Sequence, residues 1–264
     1  MPFAINPVDG LRTYYEDAGD AGPPLLFMYG LMDPVPAAKA LTIARRLRKC
    51  ARVVFVDHRG HGLSDKPVDP AAYALDLRVA DVVSVVDALG LERVHFAGIS
   101  WGARLGFALG ERSPNRLLSL ILNGNQPFAW DPAWEVVQTL TGAMAAARVG
   151  GTQALLRWFE DYIGRPLPQR ERQWLLENDP LALDAAWTAA LSEGDIATDF
   201  SHWRTPSLIA AGERDEFHEN ARRAAEAIPG AIFVSLAGHN HISAIYEVDR
   251  LMPGILALLE SRPS

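Results

Sequence analysis

The chain has 264 residues, 49% of them hydrophobic and 22% charged, an ordinary globular balance for one large domain with room for an insertion. A formal net charge of −7 argues against nucleic acid or an anionic membrane as partner, and the single cysteine, Cys50, excludes an internal disulfide. The opening Met1-Pro2-Phe3-Ala4-Ile5-Asn6-Pro7 has no basic residue and no long apolar core, and no later stretch is long and apolar enough to span a bilayer. A soluble, cytoplasmic protein is the expectation.

In chain order, a strand is expected over residues 11–15, closed by the turn-forming Asp20-Ala21-Gly22-Pro23-Pro24. The apolar run over 25–29 stops at Gly30. Residues 37–47 read as a helix, with Arg45, Arg46 and Arg48 near its C-terminal end, where cations suit the helix dipole. Val53-Val54-Phe55-Val56 is another apolar run, ending at Asp57. Leu75, Val79, Val82, Val83, Val86 and Leu89 recur at helical spacing, and Gly90 supplies the stop. Val94 opens a further buried run that passes through Gly98-Ile99-Ser100-Trp101-Gly102 into Leu105, Phe107 and Leu109, the spacing of a buried helix face. A last apolar run of this half covers 117–122.

Strands that are apolar throughout, with helices between them, predict a mostly parallel, doubly wound α/β sheet covered on both faces. From Asn125 to Arg204 the strand-like runs vanish. Helices are expected over 134–148, 152–162, 169–177 and 181–191, and six of the seven tryptophans fall here. This stretch reads as an inserted helical cap, giving a core of 1–124 and 205–264 and a cap of 125–204. Its tryptophans either build the cap's own core or line an apolar pocket facing Ser100; Trp130, Trp134 and Trp158 are the pocket candidates. The sheet resumes over 206–212 and 232–236 with a helix near 221–227 between them, and a final helix is expected over 244–259.

A serine on a sharp strand-to-helix turn needs flanking glycines, because side chains there would collide across the bend. Its hydroxyl is a poor nucleophile unless a base, itself oriented by a third group, stands beside it. In a parallel sheet such partners follow the C-terminal ends of neighbouring strands. Asp215 follows the strand ending at Gly212, and His239 and His241 follow the strand ending at Leu236.

The order nucleophile, acid, base resembles that of the α/β-hydrolase fold superfamily. The likeness covers nearly the whole chain. It rests on Tyr29-Gly30, on Asp57-His58-Arg59-Gly60-His61-Gly62-Leu63-Ser64-Asp65, on the turn around Ser100, on Gly212-Glu213-Arg214-Asp215, and on the Gly238 to His241 segment. The resemblance implies an α/β-hydrolase fold with a helical cap and a triad of Ser100, Asp215 and His241. It also implies an oxyanion hole from the backbone N–H groups of Leu31 and Trp101, and no metal or organic cofactor.

His241 is favoured over His239 because the family's second glycine before the histidine would then fall on Asn240, a residue that tolerates a left-handed backbone. Glu213 and Glu216 flank Asp215. The position after the preceding core strand, used for the acid by some relatives, holds Asn123 and Asn125. Tyr29 stands where relatives usually carry histidine, either as a packing substitution or with its hydroxyl near the oxyanion. His58, His61, His95, His202 and His218 show no metal-ligand spacing, and Asp57 and Arg59 read as loop braces.

The implied chemistry is acyl transfer to water on a small-molecule ester or lactone of small to medium apolar character. A carbon–carbon bond hydrolase, a cofactor-free perhydrolase or lyase, and a non-catalytic binding relative are the alternatives. A serine at the nucleophile position departs from the dehalogenase and epoxide hydrolase pattern, which uses aspartate. Oligomeric state is not legible in the sequence.

Overall fold

The computed structural model describes residues 2–19 and 22–260. Asp20 and Ala21, the start of the expected turn, and Met1 lie outside the described residues. Eight strands form one sheet: β1 (Phe3–Ile5), β2 (Arg12–Asp17), β3 (Pro24–Met28), β4 (Arg52–Val56), β5 (Val94–Ile99), β6 (Leu117–Asn123), β7 (Ser207–Gly212) and β8 (Ile232–Leu236). Their spatial order is β1-β2-β4-β3-β5-β6-β7-β8. From β4 through β8 neighbours run parallel, while β1 and β2 add an antiparallel edge. The order reverses between β3 and β5, which puts the C-terminal end of β5 at the switch point where ligands of such sheets bind. β1 was not legible in the sequence: it has three residues and buries only Ala4.

Helices cover both faces. Alternation along the strands decides which residue packs where. On one face Phe96, Leu120 and Ile209 meet α3 (Leu75–Ala88), α4 (Trp101–Arg112) and α8 (His218–Ala227). On the other, Phe27, Phe55, Ala97 and Ile121 meet α1 (Val35–Ala40), α2 (Thr42–Leu47), α9 (His241–Ala244) and α10 (Met252–Glu260). The single helix expected over 37–47 is two, because Leu41 is extended at ψ 143° between them. The final helix is also broken. Ile245, Tyr246, Glu247 and Leu251 each donate to the carbonyl three residues back. A three-residue pitch preserves the apolar stripe of Ile245, Val248, Leu251 and Ile255, so periodicity alone reads it as one helix.

Between β6 and β7 lie α5 (Glu135–Ile163), α6 (Gln169–Leu176) and α7 (Pro180–Leu191). α5 is kinked at Gly151, φ 67° and ψ −169°, so it comprises the two helices expected over 134–148 and 152–162. These helices share a third apolar cluster with Leu31, Met32, Tyr73 and Trp101. Ile196, Ala197, Phe200 and Trp203, which the sequence reading assigned to the helical insertion, pack instead with the α3–α4 side of the sheet. Trp203 is 2% exposed and fills the notch left by Gly110, where a methyl group would lie 2.1 Å from its ring. Among the described residues no helix is long and apolar enough to cross a membrane.

The entry and exit of the helical insertion are tied together by buried charge. Arg104 of α4, 0% exposed, donates to the carbonyls of Gln126 and Phe128 at the entry and of Gly194 at the exit. Glu193 accepts from Arg104 and from Arg78 of α3, both at 2.8 Å. Burial lowers both guanidinium pKa values, and the attraction of Glu193 opposes that. Removing Glu193 would take from two buried cations the one carboxylate that both pair with, leaving only the weaker attraction of Asp81 and Asp195. Glu193→Ala is therefore expected to lose about 3–5 kcal/mol of unfolding free energy in urea titration, against about 0.5 kcal/mol or less for a surface Glu→Ala.

Candidate active site

The turn after β5 is built as the glycines require. Ser100 is held at φ 53° and ψ −111°, one of two non-glycine residues with positive φ among the described residues. A Cβ on Gly98 would lie 2.3 Å from the Gly102 carbonyl oxygen, and one on Gly102 would lie 2.5 Å from that of Met28. The conformation is pinned from outside. Ser100 N–H donates to the Asn123 carbonyl at 2.8 Å and Gly102 N–H to the Tyr29 carbonyl at 3.0 Å, while Asn125 Nδ2 donates to the Ser100 carbonyl at 3.2 Å. His58 Nε2 donates to the same Tyr29 carbonyl at 3.0 Å, so this histidine braces the turn. Burial drives its pKa well below that of a free imidazole and keeps it neutral.

Three strand ends then bring side chains together. Ser100 Oγ lies 3.0 Å from His241 Nε2, and His241 Nδ1 lies 2.9 Å from Asp215 Oδ2. Asp215 is closed off, with its side chain 1% exposed, while that of His241 remains 18% exposed. Phe217 N–H donates to the other Asp215 oxygen at 3.1 Å, and the Phe217 ring stands edge-on to the His241 ring at 5.5 Å. The imidazole fits under Gly124, where a Cβ would approach it to 3.4 Å.

His239 points elsewhere, with Nε2 3.5 Å from Glu247. The reason His241 follows Asn240 differs from the expectation. Asn240 is extended, at φ −93° and ψ −176°, and is the N-cap of α9. Its side chain accepts from Ser243 N–H while Ser243 Oγ accepts from Asn240 N–H, a reciprocal cap that fixes the histidine at the first helical position.

Neighbouring acids have structural partners: Glu213 accepts from Gly238 N–H, and Glu216 from the N–H groups of Glu135 and Val136 at the start of α5. Asp57 accepts from Val35 and Leu63 N–H, and Arg59 pairs with Asp81 and Asp9. Burial pushes the Asp57 carboxyl up to about 6.

Two cavities flank Ser100. The larger, about 600 Å³, is lined by Tyr29, Leu31, Asp33, Trp158, Trp174 and Tyr246 among others. The smaller, about 20 Å³, lies between Trp101, Trp130, Trp187 and Phe217 and has room for about one small group. Of the three tryptophans expected at a pocket, Trp158 thus faces the large cavity and Trp130 the small one. Trp134 lines neither and packs edge-on against Phe217 at 5.6 Å.

The loop holding Leu31 has its own constraint: Met32 is at φ 74°, and its carbonyl accepts from Asn178 of the helical layer at 2.9 Å. The N–H groups of Leu31 and Trp101 donate to no backbone carbonyl among the described residues. Trp101 is the first residue of α4, where an N–H has no intrahelical acceptor. Asp33, Phe217, Asn178 and Trp174 were missed by sequence reasoning. Of these, Trp174 shared the signal of the other tryptophans in the helical stretch, and Asp33 stood out as the carboxylate directly after Leu31-Met32.

The sequence profile of the alpha/beta hydrolase fold matches residues 23–174. The chain belongs to this family. Within it, a 2-hydroxymuconate semialdehyde hydrolase of a Pseudomonas species is 38% identical over 117 residues, 44% of this chain and 41% of that one. 3-Oxoadipate enol-lactonase 1 of Acinetobacter baylyi is 30% identical over 192 residues, 71% of this chain and 67% of that one. The chain thus spans less than half the length of the first of these relatives and two thirds of the second.

Solved structures share the fold of this alpha/beta hydrolase, and two of them illustrate the likeness. A hydrolase from Pseudomonas aeruginosa superposes with a TM-score of 0.82 at 24% identity over 98% of both chains. The enol-lactonase from Burkholderia xenovorans gives 0.80 at 24% identity, over 98% of this chain and 100% of that one.

A methyl group at Gly102 would press on the β3 end, 2.5 Å from the Met28 carbonyl oxygen and 3.0 Å from that of Tyr29, and backbone cannot swing aside. Gly102→Ala is expected to lose about 1–3 kcal/mol of stability by chemical denaturation, as overpacking does. An unchanged denaturation midpoint would contradict the close approach of β3 to the turn.

Proposed function

We propose that this alpha/beta hydrolase is a serine hydrolase that cleaves a carboxylic ester or lactone of a small to medium apolar molecule through an acyl-enzyme. The observation that carries the reading is the hydrogen-bond chain from Ser100 through His241 to Asp215 at the mouth of the large cavity. With Asp215 accepting from Nδ1–H, the His241 proton is fixed on Nδ1 and Nε2 is left as the acceptor for the Ser100 hydroxyl.

In the proposed cycle the Ser100 oxygen attacks the substrate carbonyl carbon as His241 takes its proton. The tetrahedral oxyanion is held by the N–H groups of Leu31 and Trp101, each donor being worth about 10²- to 10³-fold in rate. His241, now an imidazolium stabilised by Asp215, protonates the leaving alcohol. Water then enters, loses its proton to His241, and releases the acid from Ser100. The Tyr29 backbone already serves the turn, since its carbonyl accepts from Gly102 N–H and His58. The Tyr29 ring packs against the apolar cluster of Phe27 and Ala97, and its hydroxyl lies within electrostatic reach of Asp33, Tyr246 and Glu171, which supports the packing reading of this residue.

In this reading residues 125–204 act as a cap over the site, apart from 196–203, which pack with the core. The cap carries Trp130, Trp158 and Trp187, and so supplies most of the apolar lining that an ester of modest size needs. The names of the relatives lean the same way, with enol-lactonases among both the sequence relatives and the solved structures.

A fluorophosphonate probe should label the wild-type protein on Ser100, as read by mass spectrometry of the modified peptide. Ser100→Ala and His241→Ala should each cut kcat/KM on p-nitrophenyl butyrate by at least about 10³-fold. His239→Ala should change it by less than about threefold, as a side chain outside the site does. Absence of an adduct on Ser100 would overturn the hydrolase reading. Equal losses in the two histidine variants would overturn the assignment of the base.

A further inference from the structure

The large cavity is not uniformly apolar. On the wall nearest Ser100 stands Asp33, and the two flank the same backbone atom. A methyl group placed on Gly30 would lie 3.0 Å from Asp33 Oδ2 and 3.8 Å from Ser100 Cβ. The buried carboxyls near the site have internal donors. Asp215 takes His241 and Phe217 N–H, and Asp57 takes two backbone N–H groups. Asp33, half-buried on the wall of the cavity, accepts no hydrogen bond from any described residue.

Its charged and polar neighbours deepen the deficit. Glu171 of α6 faces it with the same sign, and the hydroxyls of Tyr29 and Tyr246 stand within electrostatic reach of both carboxyls. Arg165 acts on Tyr246, and Arg214 lines the cavity, but neither offsets Asp33. Burial and Glu171 together push the Asp33 carboxyl up to about 7. A carboxyl so placed gains most from a ligand that brings a cation and N–H donors, because the ion pair forms where water is scarce. The tyrosine rings add faces that attract the same charge.

We propose that the large cavity takes a substrate carrying a basic amine, which pairs with Asp33 beside Glu171, Tyr29 and Tyr246. This rests on the hydrolase reading above and names the substrate class for it. Without the amine, an ionised Asp33 opposes the negative charge that develops on the substrate carbonyl oxygen close by. With the amine in place, that charge is neutralised. Asp33 is thus a specificity-determining residue that favours amine-bearing esters and penalises neutral ones.

The test compares 6-aminohexyl acetate with the near-isosteric heptyl acetate at pH 8, following acid release by pH-stat. The wild-type protein is expected to favour the amine ester at least about tenfold in kcat/KM, the size of one good charge-assisted contact. Asp33→Asn is expected to lose at least about tenfold on the amine ester while keeping or gaining activity on the neutral one. A merely structural role would lower both together, and that result, or equal turnover of the two esters by the wild type, overturns the proposal.

A binding measurement separates its failure from that of the hydrolase reading. By calorimetry with unmodified protein, hexylamine should bind at least about tenfold more tightly than 1-hexanol. Equal binding overturns the amine subsite whether or not any ester is cleaved. Tighter amine binding without labelling of Ser100 keeps the subsite and removes the hydrolase.

Discussion

The structure turns on one backbone constraint: Ser100 sits at φ 53° between a strand and a helix packed so closely that neither position 98 nor position 102 can carry a side chain. An L-residue in such a conformation costs of order 1–3 kcal/mol, so it persists only if the surroundings over-determine it. Here they do. The carbonyl of Tyr29 accepts from both Gly102 N–H and the neutral His58, and β6 supplies the Asn123 carbonyl for the serine N–H. β3, β5 and β6 therefore have to be in register before the serine can take its place. The strain is paid back in position, since the same turn lifts the hydroxyl to the ends of the strands that deliver Asp215 and His241.

A second constraint holds the helical layer over that turn. Arg104 belongs to the helix that starts at Trp101, and its guanidinium reaches both the entry and the exit of the inserted helices. Glu193 joins it to Arg78, whose guanidinium lies 4.3 Å from the Trp101 ring centroid. From the opposite side Asn178 binds the carbonyl of Met32, a residue also held at positive φ. The two N–H groups expected to face an oxyanion, those of Leu31 and Trp101, are thus both anchored through contacts to the helices above them. The layer is tied to the turn by buried charge on the Trp101 side and by a neutral amide hydrogen bond on the Leu31 side.

The site was legible in the sequence to the extent that its parts obey short-range rules. Gly98 and Gly102 bracket Ser100 in a five-residue pattern, although only the clash at Gly98 lies within the turn and the one at Gly102 comes from the end of β3. Asp215 and His241 follow strand ends, and strands announce themselves by apolar runs. The choice between His239 and His241 was of another kind. It rested on a glycine pattern, whereas the structure fixes the register by the Asn240 side chain capping a four-residue helix. The continuous final helix failed for a similar reason: successive three-residue turns carry an apolar stripe that mimics helical periodicity. Trp134 and Trp203 were indistinguishable by type from Trp130 and Trp158, because a tryptophan reports that it will be buried and not against what.

What the sequence determined by itself is the alternation of strands and helices, the inserted helical stretch and the sharp turn at Ser100. Each follows from local sterics and from the burial of apolar runs. What only the tertiary structure decided is everything that depends on distance between remote residues. The Arg104–Glu193–Arg78 network, the seat of Trp203 in the notch of Gly110 and the donorless carboxyl of Asp33 in the large cavity belong to that class. A charged side chain in a sequence carries no mark of whether its partner will be a neighbouring charge, water or nothing. Burial settles that, and burial is a property of the whole fold. The turn at Ser100 could be read in five residues because the glycines that permit it stand beside the serine in sequence, while the chamber it faces had to be folded before its chemistry could be seen.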